Sequence, residues 1–489
     1  MARLQEVPAE GAQVTRPAAG LGSRTLRNTA VILTARVASR LIALFTVIVL
    51  EIHLHPAGFG LFGDVVNISA LATVFLDAGF NTLFQREAAR HPGQLSRYLN
   101  NLISGRLAFA LLALIAFTGL LSLTGKLAFL LPAFLMMLLS SYSNLLRGAF
   151  YAVQRLGFEA VAIVLESVVL LGLIFLGVAT GQGVGFFLWA YAGSYAFSCI
   201  YFVVVLAARR MVRFRWQVDL SFLRQWLWKG LPFAATFAIT TIYFKIDVPI
   251  LNYLRGDYET GLYVAAYKPF EALLFVPMSM LNVVFPVLAV YHREAGDRVI
   301  WAVSRFFKSL LMLGWPIAIG TFVLVEGLRP LYQFGDSAAA LRILALGIPF
   351  MFVSNAFIAA LSAIDRQLSF TWAALASMFV NVALNLALIP AFGYLGASWA
   401  TVLTEVCLAV FGWILTARYL GRVPVPRVGW RILLAGVAMA AILYPLRGVH
   451  GPLTLLVIGV GVVVYGLALL LLGALDAEER AMIRRALGR

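Results

Sequence analysis

Two arginines stand inside an otherwise apolar stretch near the start of the chain. Arg36 and Arg40 are four residues apart, so on a helix they share one face, about 10–18 Å into a membrane. An ionisable side chain at the centre of a bilayer costs at least ~2.5–3.5 kcal/mol, which implies a cavity or an acidic partner. Guanidinium groups can bind a pyrophosphate by bidentate hydrogen bonds. The alternative is a structural ion pair with Asp64, Asp77 or Glu166, and the sequence leaves both interpretations open.

A second group of charges lies near the middle of the chain. Lys245 and Asp247 are two residues apart, about 200° around a helix, so they cannot face the same surface. Lys268 and Glu271 are three apart and share a face. We expect a network that pairs Lys245 with Glu271, or Asp247 with Lys268. The cations suit an anionic group and the carboxylates suit a proton or Na⁺, while a permanent salt bridge is the alternative.

Three more charged residues, Arg106, Glu166 and Glu405, fall near mid-depth in apolar stretches. Such residues mark functional sites by default, because burying them is costly. Arg106 is a candidate ligand for an anion, and each glutamate is a candidate ion site. The candidates for substrate binding are therefore Arg36, Arg40, Lys245, Lys268 and Arg106, and those for ion coupling or a salt bridge are Asp247, Glu271, Asp77, Glu166 and Glu405.

Membrane-spanning helices are the elements that must position these charges. Hydrophobic residues make up 62% of the 489 residues, and charged residues only 12%. Apolar stretches of about 20 residues, enough to cross a ~30 Å hydrocarbon core, recur about fourteen times. Inside lipid every backbone polar group must be paired within the protein, which favours helices. The sequence predicts an all-α integral membrane protein with about fourteen transmembrane helices.

The formal net charge of +16 is concentrated in alternate loops, such as residues 86–97, 209–229 and 293–308. A bias of Lys and Arg toward one side marks the cytoplasmic loops, which places both termini in the cytoplasm. The charge therefore reflects topology, and we expect no nucleic-acid partner. Residues 1–24 have no apolar segment of the kind found in a signal peptide, so we expect the first span to direct membrane insertion.

The chain also contains an internal repeat. Phe59-Gly60-Leu61-Phe62 is similar to Thr260-Gly261-Leu262-Tyr263, and each opens a long span. Six spans per repeat is an even number, which predicts two copies of the same orientation with a site between them. The predicted parts are a polar cytoplasmic tail (1–24), a six-helix bundle (25–207), a basic cytoplasmic linker (208–221), a second six-helix bundle (222–420), two extra transmembrane helices (421–475) and a cytoplasmic tail (476–489).

Motifs for enzyme chemistry are absent from the sequence. The five histidines have no metal-ligand spacing, and no Gly-x-x-x-x-Gly-Lys-Ser/Thr nucleotide-binding loop occurs. Two cysteines, Cys199 and Cys407, are too few for a disulfide framework or a cysteine zinc site. We expect no catalytic residues, no cofactor and no metal.

Four stretches, taken in order, resemble the polysaccharide biosynthesis (O-antigen flippase) family of the multidrug, oligosaccharidyl-lipid and polysaccharide exporter superfamily. They are HLHPAGFGLFGDVVNISALATVFLDAGFNTLFQREAAR (53–90), IYFKIDVPILNYLRGDYETGLYVAAYKPFEALL (242–274), LRILALGIPFMFVSNAFIAALSAIDRQ (341–367) and NVALNLALIPAFGYLGASWATVLTE (381–405). The family has a basic residue followed two later by Asp where this chain has Lys245 and Asp247. It has Gly-Pro where this chain has His55-Pro56.

The resemblance implies two six-helix bundles around a central cavity, and a transporter that flips polyprenyl-pyrophosphate-linked oligosaccharides to the outer leaflet by alternating access. The expected location is the bacterial cytoplasmic membrane. The expected partners are the lipid-linked substrate, membrane lipids, a coupling ion (H⁺ or Na⁺) and a polysaccharide polymerase. Tyr243, Tyr263 and Tyr267 can stack on sugar rings, or belong to an interfacial aromatic belt.

Three alternatives follow from the same sequence. An ion-coupled multidrug antiporter of the superfamily would need an acidic, aromatic cavity, whereas these spans hold about as many bases as acids. A lipid II flippase for the cell wall would share the architecture. A membrane polymerase or ligase would need long outer loops, and the predicted outer loops are short.

Overall fold

A computed structural model of the chain describes residues 19–294, 296–421, 426–476, 479 and 481. Within these ranges the chain forms fifteen α-helices, four short 3₁₀ turns and no strand. The α-helices are α1 (Ala19–Asp77), α2 (Phe80–Arg90), α3 (Leu95–Leu123), α4 (Leu130–Ala152), α5 (Leu156–Ala179), α6 (Val184–Ala208), α7 (Leu220–Lys245), α8 (Asp247–Leu273), α9 (Phe275–Glu294), α10 (Gly296–Val323), α11 (Ser337–Ala345), α12 (Ile348–Ala363), α13 (Gln367–Leu420), α14 (Pro426–Leu443) and α15 (Leu453–Leu471).

The described part of the chain contains ten helical segments long and apolar enough to cross a membrane. The number is up to eleven if α11 and α12, which meet at 41°, form one span. The predicted all-α membrane fold is thus confirmed, whereas the count of fourteen and the domain boundaries stay predictions. Residues 1–18 of the predicted N-terminal tail, residues 422–425 after α13 and most of the predicted C-terminal tail lie outside the described residues.

Three of the long helices are each two helical segments joined at one residue with positive φ. These residues are His55 in α1 (φ 54°), Gly256 in α8 (φ 81°) and Gly393 in α13 (φ 57°). Glycine adopts such a backbone without a Cβ clash, but histidine does not. His55 therefore adopts a backbone conformation that favours glycine, at the position where the resemblance implies Gly before Pro56.

The two copies of the sequence repeat meet where α1 packs against α8, the most extensive helix contact in the described chain. A Cβ on Gly60 would overlap the carbonyl oxygen of Asp257, and a Cβ on Gly261 would overlap that of Pro56. Each repeat glycine therefore lets the backbone of one helix lie directly against the other. We call α1–α6 the N-half and α7–α13 the C-half.

The chain between α6 and α7 lies along α3. Asn100 donates from Nδ2 to the carbonyl oxygen of Arg213 (2.9 Å), and the Asp219 amide donates to Oδ1 of Asn101 (2.8 Å). Asp219 then caps α7, where hydrogen bonds from the Ser221 hydroxyl and the Phe222 amide lower the pKa of its carboxyl. These contacts fix the start of α7, whose other end carries Lys245. Helices α14 and α15 pack together, and α14 lies against α10.

Candidate functional site

A cavity of about 590 Å³ lies between the two halves. The N-half contributes residues of α1, α4 and α6, and the C-half contributes residues of α7, α8 and α9. Its polar lining consists of hydroxyl groups and one charged pair: Ser69, Thr73, Ser140, Tyr191, Tyr195, Thr240, Thr241, Lys245 and Glu271. Both charged residues of the lining belong to the C-half.

Lys245 belongs to a triad of two lysines and one carboxylate. Lys245 Nζ lies 2.6 Å from Glu271 Oε1, and Lys268 Nζ lies 3.1 Å from Glu271 Oε2. The three side chains are half-buried, between 22% and 28% exposed. Two ammonium groups on one carboxylate leave the triad with one positive charge in excess. Of the two pairings expected from the sequence, the structure contains Lys245 with Glu271.

Asp247 does not contact Lys268 and points the other way, as its spacing from Lys245 predicts. It accepts a hydrogen bond from the hydroxyl of Tyr263, which also contacts Thr401 Oγ1 at 2.9 Å. Nearby, Tyr243 donates to Glu405 Oε1 (3.0 Å). Both carboxylates are buried, border one small cavity with Asn381 and Thr404, and form no ion pair with any residue that the structure describes.

The buried position of Tyr243, Tyr263 and Tyr267 is not that of an interfacial belt. Tyr243 and Tyr263 use their hydroxyls to bind carboxylates. The tyrosines that line the large cavity are Tyr191 and Tyr195 of α6. None of Tyr243, Tyr263 and Tyr267 lines the large cavity, because hydropathy does not show which helices face it.

In the N-half the candidate charges form ion pairs away from the cavity lining. Arg106 is completely buried and donates to Asp77 Oδ1 (3.3 Å) and Asn81 Oδ1 (3.1 Å). Arg147 lies 3.0 Å from Glu166 Oε2. These contacts satisfy the two carboxylates within the N-half.

Arg36 contacts the hydroxyl of Tyr151 and lies 3.5 Å from Glu159 Oε1. Its partner is therefore none of the three carboxylates that we considered from the sequence. The partner is Glu159 of α5, which packs along α1. Arg40, one helical turn further on, is exposed. The lining of the large cavity includes one of the five predicted substrate ligands, Lys245.

A second charge cluster, missed in the sequence analysis, joins the two halves near the joint between the repeats. Lys126 Nζ lies 2.5 Å from Asp64 Oδ2, 2.6 Å from Asn252 Oδ1 and 3.3 Å from Asp257 Oδ1. Asp64 and Lys126 belong to the N-half, and the other two to α8 of the C-half. The only signal in the sequence was a single lysine in a short loop between apolar spans.

Two family models match the chain. A family model described as "Polysaccharide biosynthesis protein" matches residues 25–292, and one described as "Lipid II flippase MurJ" matches residues 271–459. None of the curated protein sequences matches the chain.

Three solved structures show the same fold. "Lipid II flippase MurJ, inward closed conformation" has a TM-score of 0.76 and 15% identity, over 94% of this chain and 99% of that one. An inward-facing multidrug resistance MATE transporter has a TM-score of 0.62 and 16% identity, over 80% and 98%. A transporter of the same superfamily from Pyrococcus furiosus has a TM-score of 0.54 and 16% identity, over 81% and 95%.

The resemblance seen in the sequence is thus confirmed. Because the first family model covers more than half of its residues, this multi-pass membrane chain belongs to the polysaccharide biosynthesis protein family.

Proposed function

We propose that this protein is a flippase, with no enzymatic activity, that moves polyprenyl-pyrophosphate-linked oligosaccharide repeat units from the cytoplasmic to the outer leaflet of the bacterial inner membrane. Membership of the polysaccharide biosynthesis family supports the substrate class. The observation that carries the proposal is the cavity between the halves, which is lined by Lys245 and Glu271. Lys268, outside the lining, also binds Glu271, so the triad as a whole has one positive charge in excess. A travelling diphosphate needs such a counter-charge inside the membrane.

The hydroxyl groups of the cavity suit a sugar. Ser69 donates to the carbonyl oxygen of Val65 (2.7 Å), and Thr73 donates to that of Ser69 (2.9 Å). Because each hydroxyl proton is used within its own helix, the oxygen lone pairs are left to accept from the hydroxyl groups of the cargo. Tyr191 and Tyr195 add aromatic surface for a sugar ring. The polyprenyl tail stays in lipid.

Alternating access would rock one half against the other. In the predicted topology the loop of Lys126 faces outside, so its contacts with α8 hold the outer side closed while cargo enters from the cytoplasm. Breaking these contacts opens the cavity outward. A polymerase would then use the exported unit.

Return to the inward state would use a coupling ion, H⁺ or Na⁺, at Asp247 or Glu405. These carboxylates have tyrosine hydroxyls as partners, and no cation pairs with them among the described residues. A carboxylate without a fixed counter-ion can take up a proton or cation at less cost than one bound by an arginine.

The second candidate is a lipid II flippase, favoured by the match of residues 271–459 to the family model of that name. Both cargoes have the same tail and diphosphate and differ in the sugar. The excess positive charge of the triad argues against the export of organic cations, because like charges in a low-dielectric cavity repel.

A reconstituted flipping assay tests the proposal. Proteoliposomes would carry fluorescent undecaprenyl-diphosphate with either an oligosaccharide repeat unit or the lipid II head group, and translocation would be read by dithionite quenching. We expect flipping to be lost in Lys245→Met and retained in Lys229→Met, a matched change at an exposed lysine of α7. Faster flipping of lipid II would favour the second candidate. Wild-type rates in Lys245→Met would refute the proposed site.

A further inference from the structure

Glu271 is an anion bound by two lysines at the edge of the cavity. Its two carboxylate oxygens bind two different ammonium groups, Lys245 at 2.6 Å and Lys268 at 3.1 Å. A phosphate group that binds Lys245 would use the same kind of short, charge-assisted hydrogen bond. The carboxylate is therefore a built-in competitor for any anion that enters.

A cargo anion can compete with Glu271 for only one of the two lysines, because only one of them lines the cavity. Lys245 and Glu271 line the cavity, whereas Lys268 does not. Lys268 and Glu271 are three residues apart on α8, and Lys245 comes from α7. A carboxylate that gives up Lys245 keeps its bond to Lys268 within its own helix. Glu271 can thus yield Lys245 without becoming an unpaired charge, which would be costly in this environment.

We infer that Glu271 is a specificity-determining counter-ion, displaced from Lys245 by the cargo diphosphate and restored when the cargo leaves. This inference depends on the proposed function. It gives the Glu271 carboxylate two roles, one in selecting the cargo and one in releasing it. Neutral headgroups cannot separate Lys245 from Glu271 and are rejected, whereas anionic ones bind reversibly because the carboxylate returns to Lys245.

The inference predicts an unusual response to substitution. Glu271→Gln keeps the size of the side chain but removes the competing charge, so anion affinity should rise. Because the phosphate no longer competes with a charged hydrogen-bond partner of Lys245, we expect binding at least about tenfold tighter, which corresponds to ~1.4 kcal/mol. Release should slow by a similar factor, and flipping should fall although binding improves. If Glu271 only positions the lysines, the same variant would bind more weakly.

The test uses the full-length protein in detergent with geranyl diphosphate as the short-chain probe and geraniol as the neutral control, measured by calorimetry. We expect wild type to bind the diphosphate, Glu271→Gln to bind it at least tenfold more tightly, and Lys245→Met to lose binding. Glu271→Asp keeps the charge on a shorter side chain and should not tighten binding. A thermal melt tests whether each variant is folded. If Glu271→Gln does not fold, Glu271→Ala, which also removes the charge, is measured in its place and should likewise bind the diphosphate more tightly than wild type.

The binding experiment distinguishes failure of the proposed function from failure of the role proposed for Glu271. If wild type does not bind the diphosphate, the proposed function itself is refuted. If wild type binds it and Lys245→Met does not, but Glu271→Gln binds equally or more weakly, the proposed cargo survives and the role of Glu271 is refuted. Equal tightening in Glu271→Gln and Glu271→Asp would also refute that role, because only one of them removes the charge.

Discussion

The contacts of Lys126 predict how strongly the outer side of the cavity is held closed. Of its three partners, Asp64 belongs to the same half, so that bond can persist when the halves separate. Asn252 and Asp257 belong to the C-half, so their bonds exist only while the halves meet here. Asp257 is 39% exposed and its bond, at 3.3 Å, is screened to about 0–1 kcal/mol. The buried bond to Asn252, at 2.6 Å, is worth roughly 1.5–3 kcal/mol.

Replacing Asn252 by Ala should therefore raise the outward-open population by roughly 10–100-fold, since each ~1.4 kcal/mol is a factor of ten. Replacing Lys126 by Met should open the cavity as well. That change also leaves Asp64 buried without a cation, so it should cost an additional 3–5 kcal/mol or so of stability. The two variants thus separate the closing contact from overall stability.

Cysteine accessibility measures this opening. With Cys199 and Cys407 replaced by Ser, a single cysteine at Thr73 in the cavity would be labelled in intact cells by a membrane-impermeant maleimide. Asn355→Ala is the matched control, because Asn355 is equally buried but donates to Met351 in its own helix (2.9 Å). Labelling of Asn252→Ala at the rate of wild type and of the control would refute the assignment of Lys126 and Asn252 as the outer closure.

Two further predictions concern the joints between the repeats. His55→Gly should raise the melting temperature, because it relieves a backbone conformation that costs roughly 1–3 kcal/mol in a residue with a Cβ; an unchanged or lower melting temperature in a detergent-solubilised thermal melt would contradict this. Gly60→Ala should lower stability and flipping, because the added Cβ overlaps the backbone of Asp257, whereas Gly119→Ala on α3, with open space around it, should be neutral or mildly stabilising. Equal melting curves for the two alanine variants would show that the close helix contact at Gly60 is not required.

The sequence was sufficient to predict an all-α membrane fold because hydropathy is a property of each segment by itself. Apolar length predicts a span, and the repeated Gly-Leu-aromatic pattern indicated an internal repeat. That these glycines lie at the contact between α1 and α8 is seen only in the structure. Spacing along one helix was also informative: three residues placed Lys268 beside Glu271, and two placed Asp247 on the opposite side from Lys245. These inferences need no knowledge of how the helices are arranged.

Hydropathy and spacing along one helix could not identify ion-pair partners that lie on different helices. Glu159 is 123 residues from Arg36, and Lys126 binds groups from segments before and after it in the chain. Many carboxylates lie at similar depth, and hydropathy ranks them alike. Only the packing of α1 against α5 and α8 selects among them. The positive φ of His55 also could not be predicted from hydropathy or spacing, although the chain has His55 where the resemblance implies glycine.

Several buried carboxylates have different partners in the two halves. In the N-half, arginines bind Asp77, Glu159 and Glu166, so each of these carboxylates already has a fixed counter-charge. In the C-half, Asp247 and Glu405 have only hydroxyl and amide donors. Breaking a buried ion pair is costly, so the N-half is suited to move as a rigid unit.

The C-half, in contrast, supplies the charged residues of the cavity wall, and its carboxylates Asp247 and Glu405 border the small neighbouring cavity without an ion pair among the described residues. Its electrostatic energy therefore depends on what the cavity and the small neighbouring site contain. A transporter must change its conformational preference when it binds cargo or an ion, and a ligand achieves this only through a difference in interaction between states. For this reason we place both the cargo response, at Lys245 and Glu271, and the ion response, at Asp247 and Glu405, in the C-half, with the N-half as the surface against which it moves.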